Sequence, residues 1–106
     1  MELYMDTTNS QGVTLINSFE VPIGKLEESI KYWEACRDFL ENEPGYISTK
    51  LHRSIKDNAK FQLVNVAIWE SPQAFMKASK RMGEELGVPP TEGLIPNASL
   101  YSVIRN

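Results

Sequence analysis

The chain has 106 residues, of which 42% are hydrophobic and 24% are charged, and its formal net charge is −3. This length holds one domain of ordinary globular composition, which excludes a second core and a largely disordered chain. The acidic balance disfavours nucleic acid as a partner, because binding to phosphates requires a basic surface.

Membrane and secretory features are not expected either. No apolar run approaches the roughly 18 residues that span a bilayer, and the first residues lack the basic and apolar regions of a signal peptide. The single cysteine, Cys36, excludes an intrachain disulfide. The sequence therefore predicts a cytoplasmic protein without a membrane partner.

Residues 1–12 are polar and rich in turn formers, so they predict a flexible arm before a domain of residues 13–106. Residues 13–21 predict a strand with one largely apolar face, formed by Val13, Leu15, Asn17, Phe19 and Val21. Asn17 is the exception on that face. An amide in mid-strand costs free energy when it is buried without partners, so it is a candidate functional residue.

Residues 25–43 predict a helix, because apolar residues recur at helical spacing and Pro44-Gly45 follows as a stop signal. The apolar residues of that helix are Leu26, Ile30, Trp33 and Leu40, with Cys36 and Phe39 beside them. Residues 46–54 and 61–69 then predict two strands of a hairpin, joined by the turn of residues 55–60.

The strand of residues 61–69 repeats the anomaly seen at Asn17. Asn65 lies between two valines, and Trp69 follows four residues later on the same face. The opposite face carries Gln62, Val64, Val66 and Ile68, so both faces are expected to be covered. An amide and an indole N–H that share one apolar space indicate a binding site.

Ser71 and Pro72 predict the N-cap and first residue of a second helix, which carries Phe75 and Met76. Residues 83–98 form an irregular connection, and a connection of that length in a small domain is often a lid or the wall of a pocket. Residues 99–105 predict a last short strand.

The order β-α-β-β-α-β predicts a ferredoxin-like α+β fold with an antiparallel sheet. In this topology the first and third strands are neighbours, so Asn17 and Asn65 should lie side by side beneath the helices. The other face, with Ile16, Val64 and Val66, has no helix left to cover it. A second copy of the sheet is the simplest cover, which predicts a homodimer in the form of an α+β barrel.

With these features the sequence resembles the antibiotic biosynthesis monooxygenase family of dimeric α+β barrels. The matching stretches are residues 13–22, residues 43–54 and residues 61–75, the last with an Asn-x-x-x-Trp-Glu-Ser-Pro core. The resemblance implies oxidation of anthrone-type phenols to quinones with O₂ and without a metal or flavin. It places the site at Asn17, Asn65 and Trp69.

Two departures from family patterns accompany the resemblance. A tyrosine that some members carry soon after the tryptophan is matched here by Phe75. A haem-degrading branch uses an Asn, a Trp and a His on the second helix, whereas residues 71–82 of this chain contain no His. A haem-degrading function would therefore lack the histidine that binds the iron in that branch.

The sequence contains no set of residues with the spacing of metal ligands and no phosphate-binding loop, so no cofactor is expected. O₂ then requires an electron-rich substrate, such as a small phenol or quinol that ionises and gives up an electron. Asn17 and Asn65 are expected to stabilise the substrate anion, and Trp69 to orient substrate and oxygen. The expected substrate-binding side chains are Phe19, Trp33, Leu63, Phe75 and Met76.

No general base stands out. His52 is the one side chain that ordinarily titrates near neutrality, and its strand allows it to point toward the site or away from it. Two alternatives to the monooxygenase stay open. One is a haem-binding or haem-degrading relative, and the other is a non-catalytic dimeric barrel that binds a small apolar ligand.

Overall fold

The computed structural model describes residues 12–106, so the arm predicted for residues 1–12 falls, except for Gly12, outside the described residues. The elements are β1 (Val13–Phe19), α1 (Leu26–Leu40), β2 (Tyr46–Arg53), β3 (Leu63–Trp69), α2 (Pro72–Leu86) and β4 (Ala98–Tyr101). This order confirms the predicted ferredoxin-like α+β fold. No helix within residues 12–106 is both long and apolar enough to cross a membrane.

The four strands form one antiparallel sheet in the order β2-β3-β1-β4. β1 and β3 are central neighbours, and their register sets Asn17 directly opposite Asn65 and Leu15 opposite Ala67. Residues that are directly opposite on antiparallel strands have Cβ atoms about 4.5–5.5 Å apart. The two predicted amides therefore meet at the centre of the sheet.

The two faces of the sheet differ in burial, as strand alternation requires. In β3 every second residue is buried, namely Leu63, Asn65, Ala67 and Trp69, whereas the residues between them are only half-buried. Both helices pack over the buried face, where two apolar clusters form around Trp69 and around Phe19. The face that carries Val64 and Val66 lies opposite the helices.

Several element ends differ from their sequence-based positions. α2 continues through Gly83 to Leu86, because the residue that leaves the helix is Gly87, with a φ of 71°. β4 stops at Tyr101, since its pairing with β1 covers only the residues opposite Thr14 to Asn17. The residues after Tyr101 are exposed.

Gly45 fixes how the start of β2 approaches α2. Its φ is 91°, a left-handed conformation that favours glycine. A methyl group at this position would overlap the Ala74 Cβ. The Gly45 carbonyl also accepts a hydrogen bond of 2.8 Å from the Glu70 N–H. This close approach places the next residue, Tyr46, against the ring of Trp69.

Gly45→Ala should therefore destabilise the fold more than Gly24→Ala, measured as free energy of unfolding in urea. Gly24 has a similar φ of 80° but no atom within 4 Å of an added methyl group, so it isolates the backbone cost of about 1–2 kcal/mol. Overlap with Ala74 should add about 1–3 kcal/mol at Gly45. Equal losses for the two variants would show that the contact between β2 and α2 is not tight.

Candidate active site

A cavity of about 250 Å³ lies between the helices and the buried face of the sheet. The sheet contributes its floor, formed by Leu15, Asn17, Phe19, Thr49, Asn65, Ala67 and Trp69. The helices contribute a wall that includes Tyr32, Trp33, Cys36, Arg37, Phe75, Ser79 and Met82. The connection after α2 closes one side with Pro89, Leu94 and Pro96, as its length suggested. The lining is mostly apolar, with a few polar groups on the floor, which is typical of small-molecule sites.

The carbonyl oxygens of both floor amides are already occupied. The Thr49 hydroxyl donates to Asn65 Oδ1 at 2.6 Å, and the backbone N–H of Asn97 donates to Asn17 Oδ1 at 3.1 Å. A backbone N–H can only donate, so the Asn17 atom that faces it must be oxygen. Each Nδ2 then carries two N–H donors with no acceptor among residues 12–106. The amides therefore present donors to a ligand.

Trp69 forms one end of the floor and is held firmly. Its side chain is 1% exposed and packs in the cluster of Leu15, Ala67 and Ala78. The rings of Tyr46 and Phe75 meet it edge-on, each with a centroid distance of 5.6 Å. Such contacts fix the plane of the indole. Asn65 and Trp69 are four residues apart on one strand, so their Cα atoms lie about 13 Å apart.

The structure brings six of the eight predicted site residues to the cavity, namely Asn17, Phe19, Trp33, Asn65, Trp69 and Phe75. Leu63 and Met76 do not line it. Leu63 shares the correct face, but it is 2% exposed and packs solidly against Phe19 and Leu94. Met76 is 53% exposed, because it lies one position, and so about 100° around the helix, from Phe75.

His52 lies away from the cavity. It pairs with Val64 on β3, whereas the neighbouring cavity residue Thr49 pairs with Ala67 on the buried face. Its exposed side chain therefore belongs to the face opposite the helices. Within residues 12–106 no group of three or more His, Cys, Asp or Glu side chains is arranged to hold a metal ion.

Two titratable groups of the wall were not predicted as site residues. Burial raises the pKa of the Tyr32 hydroxyl, and its hydrogen bond with Cys36 raises it further. Burial also raises the pKa of the Cys36 thiol, an effect that the hydrogen bond with Tyr32 partly offsets. Both groups are therefore neutral at pH 7, and neither accepts a proton from a ligand. Their spacing of four residues was readable from the sequence, but their proximity to the amides required the packing of α1.

Thr49→Val tests the orientation of Asn65. The change keeps the shape of the side chain but leaves the buried Asn65 carbonyl without its donor, which should cost about 1–3 kcal/mol of unfolding free energy. Thr14→Val is the matched control, because Thr14 lies on the other face of β1 and makes no hydrogen bond through its hydroxyl within residues 12–106. We expect it to stay within about 0.5 kcal/mol of the parent. If Thr14→Val lost as much unfolding free energy as Thr49→Val, the role of Thr49 as donor to Asn65 would be contradicted.

Comparison with solved structures finds the same fold in several proteins. A proposed monooxygenase from Shewanella loihica PV-4 is 54% identical, with a TM-score of 0.85 over 92% of this chain and 98% of that one. SnoaB, a cofactor-independent oxygenase from Streptomyces nogalater, is 23% identical, with a TM-score of 0.74 over 91% of this chain and 96% of its own. The haem-degrading protein MhuD from Mycobacterium tuberculosis is 24% identical, with a TM-score of 0.68 over 89% of this chain and 97% of its own.

The last two likenesses show the fold alone, because their identities are low. No curated protein sequence matches the chain. A profile of the antibiotic biosynthesis monooxygenase family, however, matches residues 12–82, which include Asn17, Asn65 and Trp69. This match, with the identity of 54% to the Shewanella protein, confirms what the sequence resemblance implied: the chain belongs to the antibiotic biosynthesis monooxygenase family.

Proposed function

We propose that the protein is a cofactor-independent monooxygenase that oxidises a phenolic, anthrone-like or quinol-like aromatic with O₂. One observation carries the proposal: two amides lie opposite each other on the floor of an apolar cavity with their carbonyl oxygens occupied. Their Nδ2 groups are then preorganised donors for an oxygen that gains negative charge. Family membership and the fold shared with SnoaB, itself a cofactor-independent oxygenase, support the same reaction class.

Stabilising the substrate anion is the main task assigned to the protein. O₂ accepts electrons one at a time, so an electron-rich anion reacts with it far more readily than a neutral phenol does. Asn17 and Asn65 donate to the phenolate or enolate oxygen, and a preorganised donor of this kind contributes roughly 2.7–4 kcal/mol in well-studied acyl-transfer sites. Trp69 offers a flat wall for the ring and an N–H for an oxygen species.

The reaction balances without another reductant. The anthrone anion gives one electron to O₂, and the substrate radical combines with superoxide to form a carbon-bound peroxide. Cleavage of the O–O bond leaves one oxygen atom as the new carbonyl of the quinone. The other oxygen leaves as water with the two hydrogens of the original methylene group. The substrate supplies all the electrons.

The size of the cavity matches this substrate class. Packing at the density of protein interiors, about 0.74, would fill its volume of about 250 Å³ with roughly 185 Å³ of ligand. A fused system of two or three rings has about this size. A porphyrin is much larger, and the lining residues from the described part of the chain, 12–106, include no histidine to bind its iron. A haem-degrading function is therefore the weaker alternative, and a non-catalytic barrel that binds an apolar ligand is the other.

Asn17→Ala and Asn65→Ala should each lower the rate of O₂ uptake with anthrone by about 100-fold or more, since each removes one donor to the developing anion. The assay is run with a chelator, so that free metal ions do not contribute. Trp69→Phe should also reduce turnover. Asn42→Ala is the matched control, because within residues 12–106 the Asn42 side chain is exposed and bonds only to the Asp38 carbonyl near the end of α1.

Full activity in both asparagine variants would contradict the site. Ligand binding without any O₂ uptake would favour the non-catalytic barrel, and a shift of the Soret band on addition of haem would favour the haem-binding relative.

The pH dependence of the rate should follow the substrate rather than the protein. Burial raises the pKa of both Tyr32 and Cys36, so each holds its proton to a higher pH than the same group in water and neither supplies a base near neutrality. The rate should therefore rise with pH through the pKa of the substrate itself. Two anthrones of different acidity should give midpoints that differ as their own pKa values do. A common midpoint for both would reveal a protein base.

We also propose that the protein is a homodimer that pairs through the sheet face opposite the helices. That face carries Ile16, Val64, Val66 and Ile68, all half-buried, and both helices pack on the other side. Light scattering should give twice the mass of one chain, and Val66→Lys should shift the mass toward that of one chain. A parent protein with the mass of a single chain would contradict the proposal.

A further inference from the structure

Arg37 is the one charged side chain among those that line the cavity within residues 12–106. Its guanidinium lies 5.3 Å from the centre of the Trp33 ring, and the side chain is 36% exposed. It therefore reaches from solvent to the cavity wall while the amides lie on the floor. Among the lining residues that the structure describes there is no carboxylate to neutralise it from within the cavity.

The contacts of Arg37 leave it free to bind a second anion. Its Nε and Nη2 donate to Asp38 Oδ1 at 3.1 and 3.0 Å, which uses two of the five N–H donors. Asp38 is 64% exposed, and exposed ion pairs of this kind contribute little to stability. The guanidinium also lies over the Trp33 ring, a cation–π contact that helps to hold it beside the cavity and leaves the remaining donors available.

The surroundings of Arg37 restrict which anions it accepts. Asp38 bonds to it, and two exposed carboxylates lie near it, Glu34 on α1 and Glu41 at the end of that helix. These carboxylates reduce the attraction of the site for small anions from solvent. A ligand that also fills the apolar cavity adds the free energy of apolar burial to this weakened attraction, so the site favours anions that carry an aromatic body.

We propose that the substrate carries an acidic substituent, of the size of a carboxylate, that binds Arg37 at the edge of the cavity. The inference rests on the proposed function for the reacting end of the molecule, where the phenolic oxygen meets the two amides. The substrate class is thereby narrowed to aromatic acids of two or three rings. Arg37 acts as a specificity residue and takes no part in the oxidation.

The test compares two ligands that differ in charge but hardly in shape, 2-naphthoate and 2-naphthamide, by isothermal titration calorimetry. The parent protein should bind 2-naphthoate at least about tenfold more tightly, as expected for a charge-assisted hydrogen bond. Arg37→Met should remove this preference, because it should lower the affinity for 2-naphthoate much more than that for 2-naphthamide, whose oxygen is an uncharged acceptor. Arg37→Lys keeps the charge without the planar fork and should retain part of the preference.

Arg53→Met is the matched control, because Arg53 is exposed and does not line the cavity, and it should keep the parent's preference. Equal affinities of the parent for the two ligands, or an undiminished preference in Arg37→Met, would overturn the proposal. These binding outcomes are independent of turnover. A preference that depends on Arg37, without O₂ uptake from any anthrone, would uphold the anion site and defeat only the oxygenase. Turnover of neutral anthrone by a parent protein that binds 2-naphthoate and 2-naphthamide equally would uphold the oxygenase and defeat only the anion site.

Discussion

The placement of two amides on the covered face at the centre of the sheet, with Asn65 buried and Asn17 half-buried, is the constraint on which the rest of the structure depends. The antiparallel register of β1 and β3 sets Asn17 opposite Asn65 on the face that the helices cover. Buried amides are costly unless they are bonded, and here each carbonyl is bonded from a different element. The Thr49 hydroxyl of β2 donates to the Asn65 carbonyl, and the backbone N–H of Asn97, just before β4, donates to the Asn17 carbonyl. Three strands and the residue just before β4 thus determine the direction in which the N–H donors point.

The cavity above the amides separates two kinds of polar environment. The amide end is shielded, since Asn65 is only 8% exposed, and a hydrogen bond to a developing anion is strongest where water is excluded. The Arg37 end is partly open, which keeps a full charge hydrated at low cost. From the amides toward Trp69 the floor is lined by small or apolar side chains, Ala67 and Leu15. A ligand that spans both ends is oriented by its own polarity.

Most of the fold and most of the floor of the site could be predicted from the sequence. Alternation within the strands placed Asn17 and Asn65 on the covered face, and the order of elements made their strands neighbours. The partners of the amides were not visible in this way, because Thr49 and Asn97 reach them only through strand register and the path of an irregular connection.

Arg37 was missed for a different reason. An arginine on an amphipathic helix ordinarily belongs to the solvated face, and only the packing of α1 shows that it also reaches the cavity. The spacing of four residues to Trp33 was the available signal, since residues so separated are neighbours on a helix.

Leu63 shows that the correct strand face does not by itself place a residue in the cavity. Its face was correct, yet the neighbouring Phe19 and Leu94 fill the space above it.

The bond between Asn97 and Asn17 links the closing segment of the cavity to its chemistry. Leu94 and Pro96 belong to the same short stretch as Asn97 and form the side of the cavity. That stretch is attached to the end of β1 through the paired backbone bonds of Glu20 and Ile95, at 2.9 and 3.0 Å. Any movement that lifts the stretch to admit a large ligand also releases the Asn17 carbonyl. The amide is then free to rotate, so its donors are aligned again only when the stretch returns over the ligand and the Asn97 N–H rebinds the Asn17 carbonyl.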